Sequence, residues 1–303
     1  MRRTGSRAIE SACKKEQAMT LVGRYLPLFK LRICWLITVS ALVGLIASPG
    51  AVSIEKAAFL AVATMAAAAA ASALNHYFDR DIDRVMDRTR SRPLEENYCT
   101  PFAALASAAA LLALSATVAL LKLGYMAALH LMLGAFVYAV VYTAWLKRRS
   151  WTNIIVGGLS GSFAMLAGGA SAPSGLCAAT VMLAVVMFFW TPSHFWSFAI
   201  VHRDDYDRAR VPMLPSVVGN TKASRFILVN TGLLVASSFA PVINGNLGLV
   251  YCGAAVLAGA FFLYRNIQLV RDTSKPLALM NFRASMVYLG SLFAGVALDI
   301  VAL

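Results

Sequence analysis

The sequence predicts an all-α, polytopic membrane protein with about nine transmembrane helices. Bulk apolarity and the spacing of basic residues carry that expectation. Of 303 residues, 59% are hydrophobic and 14% charged, with a mean hydropathy of +0.70. Soluble domains hold roughly 45–50% apolar and about 25% charged residues. A soluble core of this size cannot hide such a surplus, so lipid must cover it.

A spanning helix needs roughly 20 mainly apolar residues. Nine stretches qualify, near 32–49, 57–77, 101–121, 125–145, 152–170, 178–201, 226–244, 247–264 and 285–302. Ahead of the first lies a polar, basic segment, residues 1–30, without the apolar core and small-residue cleavage site of a removable leader. The first span therefore doubles as an uncleaved insertion signal. Residues 31–303 read as one membrane domain. The second span runs into an acidic stretch, and Lys122 is the sole basic residue between the third and fourth. The fourth ends on Lys147-Arg148-Arg149. The fifth is rich in glycine; were it re-entrant, the count would be eight. The sixth contains Pro192 and His194 and meets a second acidic stretch, where Pro212 and Pro215 stop the helix. No basic residue separates the seventh span from the eighth, and four separate the eighth from the ninth.

Positive residues gather on cytoplasmic loops. The N-terminal stretch holds eight Lys and Arg, and the second, fourth, sixth and eighth connections hold five, three, five and four, which places 25 of the 27 on one side. The N-terminus is expected in the cytoplasm and the C-terminus on the opposite face. The net charge of +13 is thus topological. No basic run is interleaved with aromatics in a polar domain, which argues against nucleic acid as a partner. The five cysteines (Cys13, Cys34, Cys99, Cys177 and Cys252) are scattered without a C-x-x-C pair. That argues against a disulfide framework, a zinc knuckle or a thiol copper chaperone.

Nine of the fourteen acidic residues follow the second and sixth spans. The first group contains Asn75-x-x-x-Asp79-x-x-x-Asp83. On a helix, residues four apart stack on one face, each step rising about 6 Å, so these three form an oxygen-lined stripe that Asp87 would continue. A charged, solvated helix end would pair opposite charges at that spacing; here like charges repeat. Carboxylates next to hydrocarbon call for a cation, and Mg²⁺ suits them, because it takes one or two carboxylates with water and phosphate oxygens. The second group, Asp204-Asp205-Tyr206-Asp207, could supply the opposite side of a metal–diphosphate clamp. Lys147 and Arg148 are natural diphosphate holders, although cations at such a position are also topogenic. Asn153 and the run Gly157-Gly158-Leu-Ser-Gly161 open the fifth span, either for close helix packing or to admit a flat ligand. His194 is a candidate for substrate contact because an intramembrane histidine is costly; His76 and His130 are the others.

Together these residues resemble the protohaem IX farnesyltransferase (haem O synthase) family, within the UbiA-like group of intramembrane aromatic prenyltransferases. The stretches that carry the resemblance are NHYFDRDIDRVMDRTRSRPL (75–94), YTAWLKRRSWTNIIVGG (142–158), TPSHFWSFAI (191–200), DDYDRARVPMLP (204–215) and FRASMVYLG (282–290). The resemblance implies a UbiA-like helical bundle with a cytoplasm-facing site. Farnesyl diphosphate would bind through Mg²⁺ held by Asn75, Asp79 and Asp83, with Asp204 and Asp205 opposite. Asp79, Asp83, Lys147 and Asp205 would form the catalytic set, and Asn75, Arg92, Arg148, Asn153, Tyr142, His194 and Tyr206 would contact substrates. The acceptor would be a vinyl group of haem b, a substrate and not a cofactor. Water would complete the side chain to give haem O for haem–copper oxidases, with haem A synthase or oxidase assembly factors as partners. A bacterial inner membrane is the implied location, a mitochondrial inner membrane the alternative. The family usually carries Pro-Pro and then Gly-Trp after Gly161, where this chain reads SFAMLAGGA (162–170). Two other readings compete. A quinone-ring prenyltransferase would share the mechanism, and a haem or small-molecule transporter would hold its substrate nearer the bilayer midplane.

Overall fold

The computed structural model describes residues 25–96 and 98–302. Residues 1–24 of the expected basic segment, with Cys13, lie outside the described residues. Among those described, nine helices are long and apolar enough to cross a membrane: α1 (Leu26–Ile46), α2 (Ile54–Val85), α3 (Pro101–Leu123), α4 (Tyr125–Arg148), α5 (Asn153–Ser171), α6 (Ala178–Val201), α7 (Asn220–Ile243), α8 (Leu249–Arg271) and α9 (Lys275–Ala302). The chain is an all-α, multi-pass membrane protein.

Several helices outrun their apolar windows. α2 has 32 residues, about 48 Å at 1.5 Å per residue, against a hydrocarbon layer of about 30 Å. Counted from Ile54, that layer is spent near Leu74. Asn75 to Asp83 therefore project beyond it while remaining helical. Ser53 starts the helix by accepting the Lys56 amide (3.1 Å), and Met86 ends it in an extended conformation. Likewise α7, α8 and α9 extend into polar sequence at the same end of the bundle, which carries the charged loops.

The fifth segment crosses as a single helix. Its glycines serve packing: a Cβ at Gly168 would collide with the Ala41 carbonyl oxygen of α1, and one at Gly44 of α1 with the Met165 carbonyl oxygen. The departure from the family pattern at 162–170 thus forms the seam between α1 and α5. Nearer the charged end, a Cβ at Gly157 would lie 2.9 Å from the Tyr142 ring, and one at Gly158 would lie 3.2 Å from Thr191. Both positions are filled by neighbouring helices rather than left as ligand space.

The helices form two groups, joined where α1 packs on α5 and α5 on α6. α1, α2, α4 and α5 surround a narrow, mainly apolar slot, and α6 packs with α7 and α9 around a second core that includes Trp190, Tyr251, Phe262 and Tyr288. Pro192 removes one helical N–H within α6. Asn230 of α7 secures that turn by donating to the Phe189 carbonyl (2.6 Å) and Ser193 Oγ (2.7 Å).

Candidate active site

The site is built where α2, α4 and the first turn of α1 meet. Asn75, Asp79 and Asp83 lie on one buried face of α2, each at most 3% exposed. Opposite them α4 widens into a π-helical stretch, Val137–Trp145, and tightens into a 3₁₀ turn, Leu146–Arg148. Such stretches are frequent at functional sites. Thr143 shows the wider spacing directly, since its hydroxyl donates to the carbonyl five residues back, on Tyr138 (2.8 Å). This winding points Thr143 and Lys147 at α2. Lys147 Nζ donates to Asp79 Oδ2 (2.5 Å), and Asn75 Nδ2 donates to the same oxygen (2.7 Å) and to Thr143 Oγ1 (3.1 Å).

In the sequence Lys30 reads only as a topogenic charge. Pro27 opens a 3₁₀ turn, Leu26–Phe29, after which Lys30 takes a left-handed conformation (φ 46°, ψ 51°) and α1 continues. That turn sends Lys30 Nζ to Asn75 Oδ1, to which it donates. Thr143 and Arg88 were also missed. Arg88 lies over the Phe198 ring, and its charge acts on the Tyr206 hydroxyl.

Arg92 NH1 donates to Asp83 Oδ2 (2.5 Å). Three cations, Lys30, Lys147 and Arg92, thus face two buried carboxylates. A nearly buried cluster with excess positive charge is suited to a polyanion. Asp79 Oδ1 is buried and has no protein partner among the described residues, and leaving it bare carries a desolvation cost. No group of three or more His, Cys, Asp and Glu side chains among the described residues converges on a metal position. The donor set fits Mg²⁺ nonetheless, because that ion is held by one or two carboxylates and completed by water and phosphate.

The remaining candidates separate. Arg148 forks around Asp81 (2.6 Å to each carboxylate oxygen) and also donates to the Phe78 carbonyl (2.6 Å), on an exposed face beside the stripe. Asn153 is fully buried; its Nδ2 donates to Ser150 O (2.7 Å) while its Oδ1 has no partner. Tyr142 is buried and stacks on Tyr138 (5.6 Å). His194 lies deeper, between α6 and α9, with Nδ1 at 2.7 Å from Ser285 Oγ. His130 contacts the Met126 carbonyl through Nδ1 (2.7 Å), and His76 is buried with neither ring nitrogen partnered. Asp87 does not continue the stripe: α2 ends before it, and its exposed carboxylate pairs with Arg208 (2.5 Å).

The second acidic stretch forms a short helix, Arg203–Arg208, which turns two adjacent carboxylates apart. Asp205 is buried, accepts the Asp87 amide (3.3 Å) and pairs with Arg208. Burial pushes its carboxyl up, but Arg208 and the Asp87 and Arg88 amides outweigh that and hold it below the usual range. Asp204 faces solvent and pairs with Lys275 (2.6 Å), which depresses it. Tyr206 is buried with Tyr142 in one apolar cluster, and burial raises its hydroxyl. Asp205, Tyr206 and Arg208 therefore face the loop following α2, and Asp204 does not.

Comparison with known proteins gives the arrangement a context. The model of the UbiA prenyltransferase family matches residues 35–289. A relative from Paramagnetospirillum magneticum named protoheme IX farnesyltransferase 2 is 47% identical over 277 residues, covering 89% of this chain and 94% of the relative. A solved structure described as digeranylgeranylglyceryl phosphate synthase superposes with a TM-score of 0.76 at 21% identity, over 94% of this chain and 100% of that one. A UbiA homologue from Archaeoglobus fulgidus bound to GPP and Mg²⁺ superposes with a TM-score of 0.67 at 16% identity, over 90% and 99%. These two structures share the fold.

Proposed function

This chain belongs to the UbiA prenyltransferase family, and on that premise we propose that it transfers the farnesyl group of farnesyl diphosphate to a vinyl group of haem b, with addition of water, giving haem O and diphosphate. The observation that carries the chemistry is the buried Asn75–Asp79–Asp83 face met by Lys147, Lys30 and Arg92. The choice of acceptor rests on the relative named for protohaem IX.

Asp79, through its unpartnered Oδ1, with Asn75 and Asp83 beside it and Asp205 on the facing loop, would hold Mg²⁺; bound there, the ion draws charge from the departing diphosphate. Lys147 and Lys30 would move from Asp79 and Asn75 onto phosphate oxygens, with Arg92 and Arg148 at the rim. These are preorganised donors aimed where charge collects on the leaving group. Lys30 and Tyr138 line the slot between α1, α2, α4 and α5, and its otherwise apolar lining suits the prenyl tail. Tyr142 and Tyr206, packed over the site, would exclude water while the C1–O bond breaks. The vinyl electrons then form the new carbon–carbon bond, and the cation left on the haem side chain takes up water and loses a proton. We place the charged end in the cytoplasm of a bacterial inner membrane, with haem A synthase or oxidase assembly factors receiving the product.

Incubating purified protein with haem b, farnesyl diphosphate and Mg²⁺, beside a parallel reaction offering a phenolic quinone precursor, tests the proposal. Chromatography should show a hydroxyethylfarnesyl haem and no prenylated phenol. Prenylation of the phenol alone overturns the choice of acceptor.

A further inference from the structure

Away from the carboxylates, α6 and α9 hold His194 in surroundings that fix one tautomer. The imidazole lies flat between the rings of Trp190 (4.3 Å, 18°) and Phe282 (4.3 Å, 29°). Trp190 is itself tied, because its indole N–H donates to the Ser285 carbonyl (2.8 Å). Both faces of the imidazole are therefore covered, and only its edges remain for polar contact. On one edge Nδ1 lies 2.7 Å from Ser285 Oγ. Ser285 is fully buried, and its hydroxyl already donates to the Phe282 carbonyl (2.6 Å). A serine hydroxyl has one proton to give. Its oxygen must accept from His194, so Nδ1 carries the ring hydrogen. Nε2 is left as a bare lone pair with no protein partner among the described residues, on a half-buried side chain.

We infer that His194 Nε2 is an axial ligand to the iron of the haem acceptor, and that Ser285 is the positioning residue that presents it. The inference rests on the haem-acceptor proposal and deepens it. A neutral imidazole is the ligating form, and metal-ligating histidines pass their other ring N–H to an acceptor that sets tautomer and orientation. With both faces stacked and Nδ1 committed to Ser285, Nε2 is the ring atom left for an external ligand. The surroundings also suit a flat apolar macrocycle with an acidic edge. From His194 the rings continue through Phe282 to Phe198 (5.2 Å) and His202 (4.4 Å from Phe198), and Arg88 stands over Phe198 (5.3 Å).

The test uses the full-length protein in lipid nanodiscs, titrated with ferric haem b and read by absorption and electron paramagnetic resonance. Wild type should show histidine-ligated iron. His194→Gly should lose that signature and regain it with added imidazole. Ser285→Ala should bind haem at least about 10-fold more weakly, within the roughly 10- to 100-fold range for loss of the group behind a ligating histidine, and Ser285→Thr should restore it. Should His194→Gly not fold, the serine pair decides: an altered iron spectrum in Ser285→Ala but not Ser285→Thr supports the ligation, and unchanged spectra in both refute it. Identical iron spectra in wild type and His194→Gly overturn the inference; if wild type still makes haem O, the proposed function stands. A protein that neither binds nor farnesylates haem brings down both.

Discussion

Replacing Lys147 by glutamine removes the cation that neutralises Asp79, with two consequences that run in opposite directions. Lys147 and Asp79 are 8% and 0% exposed and meet at 2.5 Å, so solvent screens them little. Removing one partner of a buried pair costs roughly 3–5 kcal/mol. Asn75 still donates to the same Asp79 oxygen, and Lys30 stands behind Asn75, which places the loss at the lower end, about 3 kcal/mol. The loss is largest without divalent cation and shrinks when Mg²⁺ occupies the site. Mg²⁺ affinity should therefore rise in Lys147→Gln. Farnesyl diphosphate use should fall, because a charge-assisted contact worth about 1.5–3 kcal/mol is gone; the drop in kcat/KM is about 10- to 150-fold, with part on kcat if the contact strengthens as the leaving group gathers charge. The assay is thermal unfolding across a Mg²⁺ titration beside steady-state kinetics with each substrate varied separately. Unchanged stability without Mg²⁺ and unchanged farnesyl diphosphate kinetics would reduce Lys147 to a topology signal.

Lys30→Gly keeps the turn, since glycine adopts φ 46° freely while a side chain pays about 1–2 kcal/mol there. The variant should unfold at or above the wild-type temperature yet need at least about tenfold more farnesyl diphosphate; an unchanged KM removes Lys30 from the site. His202 is held below its ordinary value by burial and by Arg88. The unfolded chain therefore binds the proton first as pH falls below about 6.5, and stability is lost from there down to the lowered folded value. His202→Asn should flatten the decline in Tm between about pH 7 and pH 5, and an equal slope in both proteins contradicts the assignment. Reporter fusions near residues 50, 122, 174 and 245 and at the C-terminus should read non-cytoplasmic, and those near 90, 148, 212 and 274 cytoplasmic; a reversed pair overturns the orientation.

The shared buried face of Asn75, Asp79 and Asp83 was legible because the helical period alone fixes it, and the nine crossings because apolar length and charge alternation repeat along the whole chain. Helix ends were less legible. Hydropathy marks where charge begins, whereas α2 and α8 stop where hydrogen bonding stops, at Val85 and Arg271. Asp87 falls off the stripe because Met86 leaves the helix, a backbone event with no signature in the charge pattern. Which of Asp204 and Asp205 turns inward depends on how the short helix after α6 seats against the loop after α2, a tertiary contact that adjacent identical residues cannot reveal. Lys30 reaches Asn75 only through a 3₁₀ turn followed by a left-handed residue; Pro27 was the one local sign of it. The π-helical winding that aims Thr143 and Lys147 was likewise invisible, because α4 reads as an ordinary apolar run.

Binding of diphosphate to the α2 face through a divalent cation at Asp79 is open to direct observation. Mn²⁺ substituted for Mg²⁺, with an unreactive thio analogue of farnesyl diphosphate, makes that contact observable by electron–nuclear double resonance. Phosphorus coupling to the bound Mn²⁺ should appear in the wild type and be lost in Asp79→Asn, where the oxygen that has no protein partner among the described residues becomes part of a neutral amide. Phosphorus coupling of equal strength in Asp79→Asn would contradict binding through Asp79.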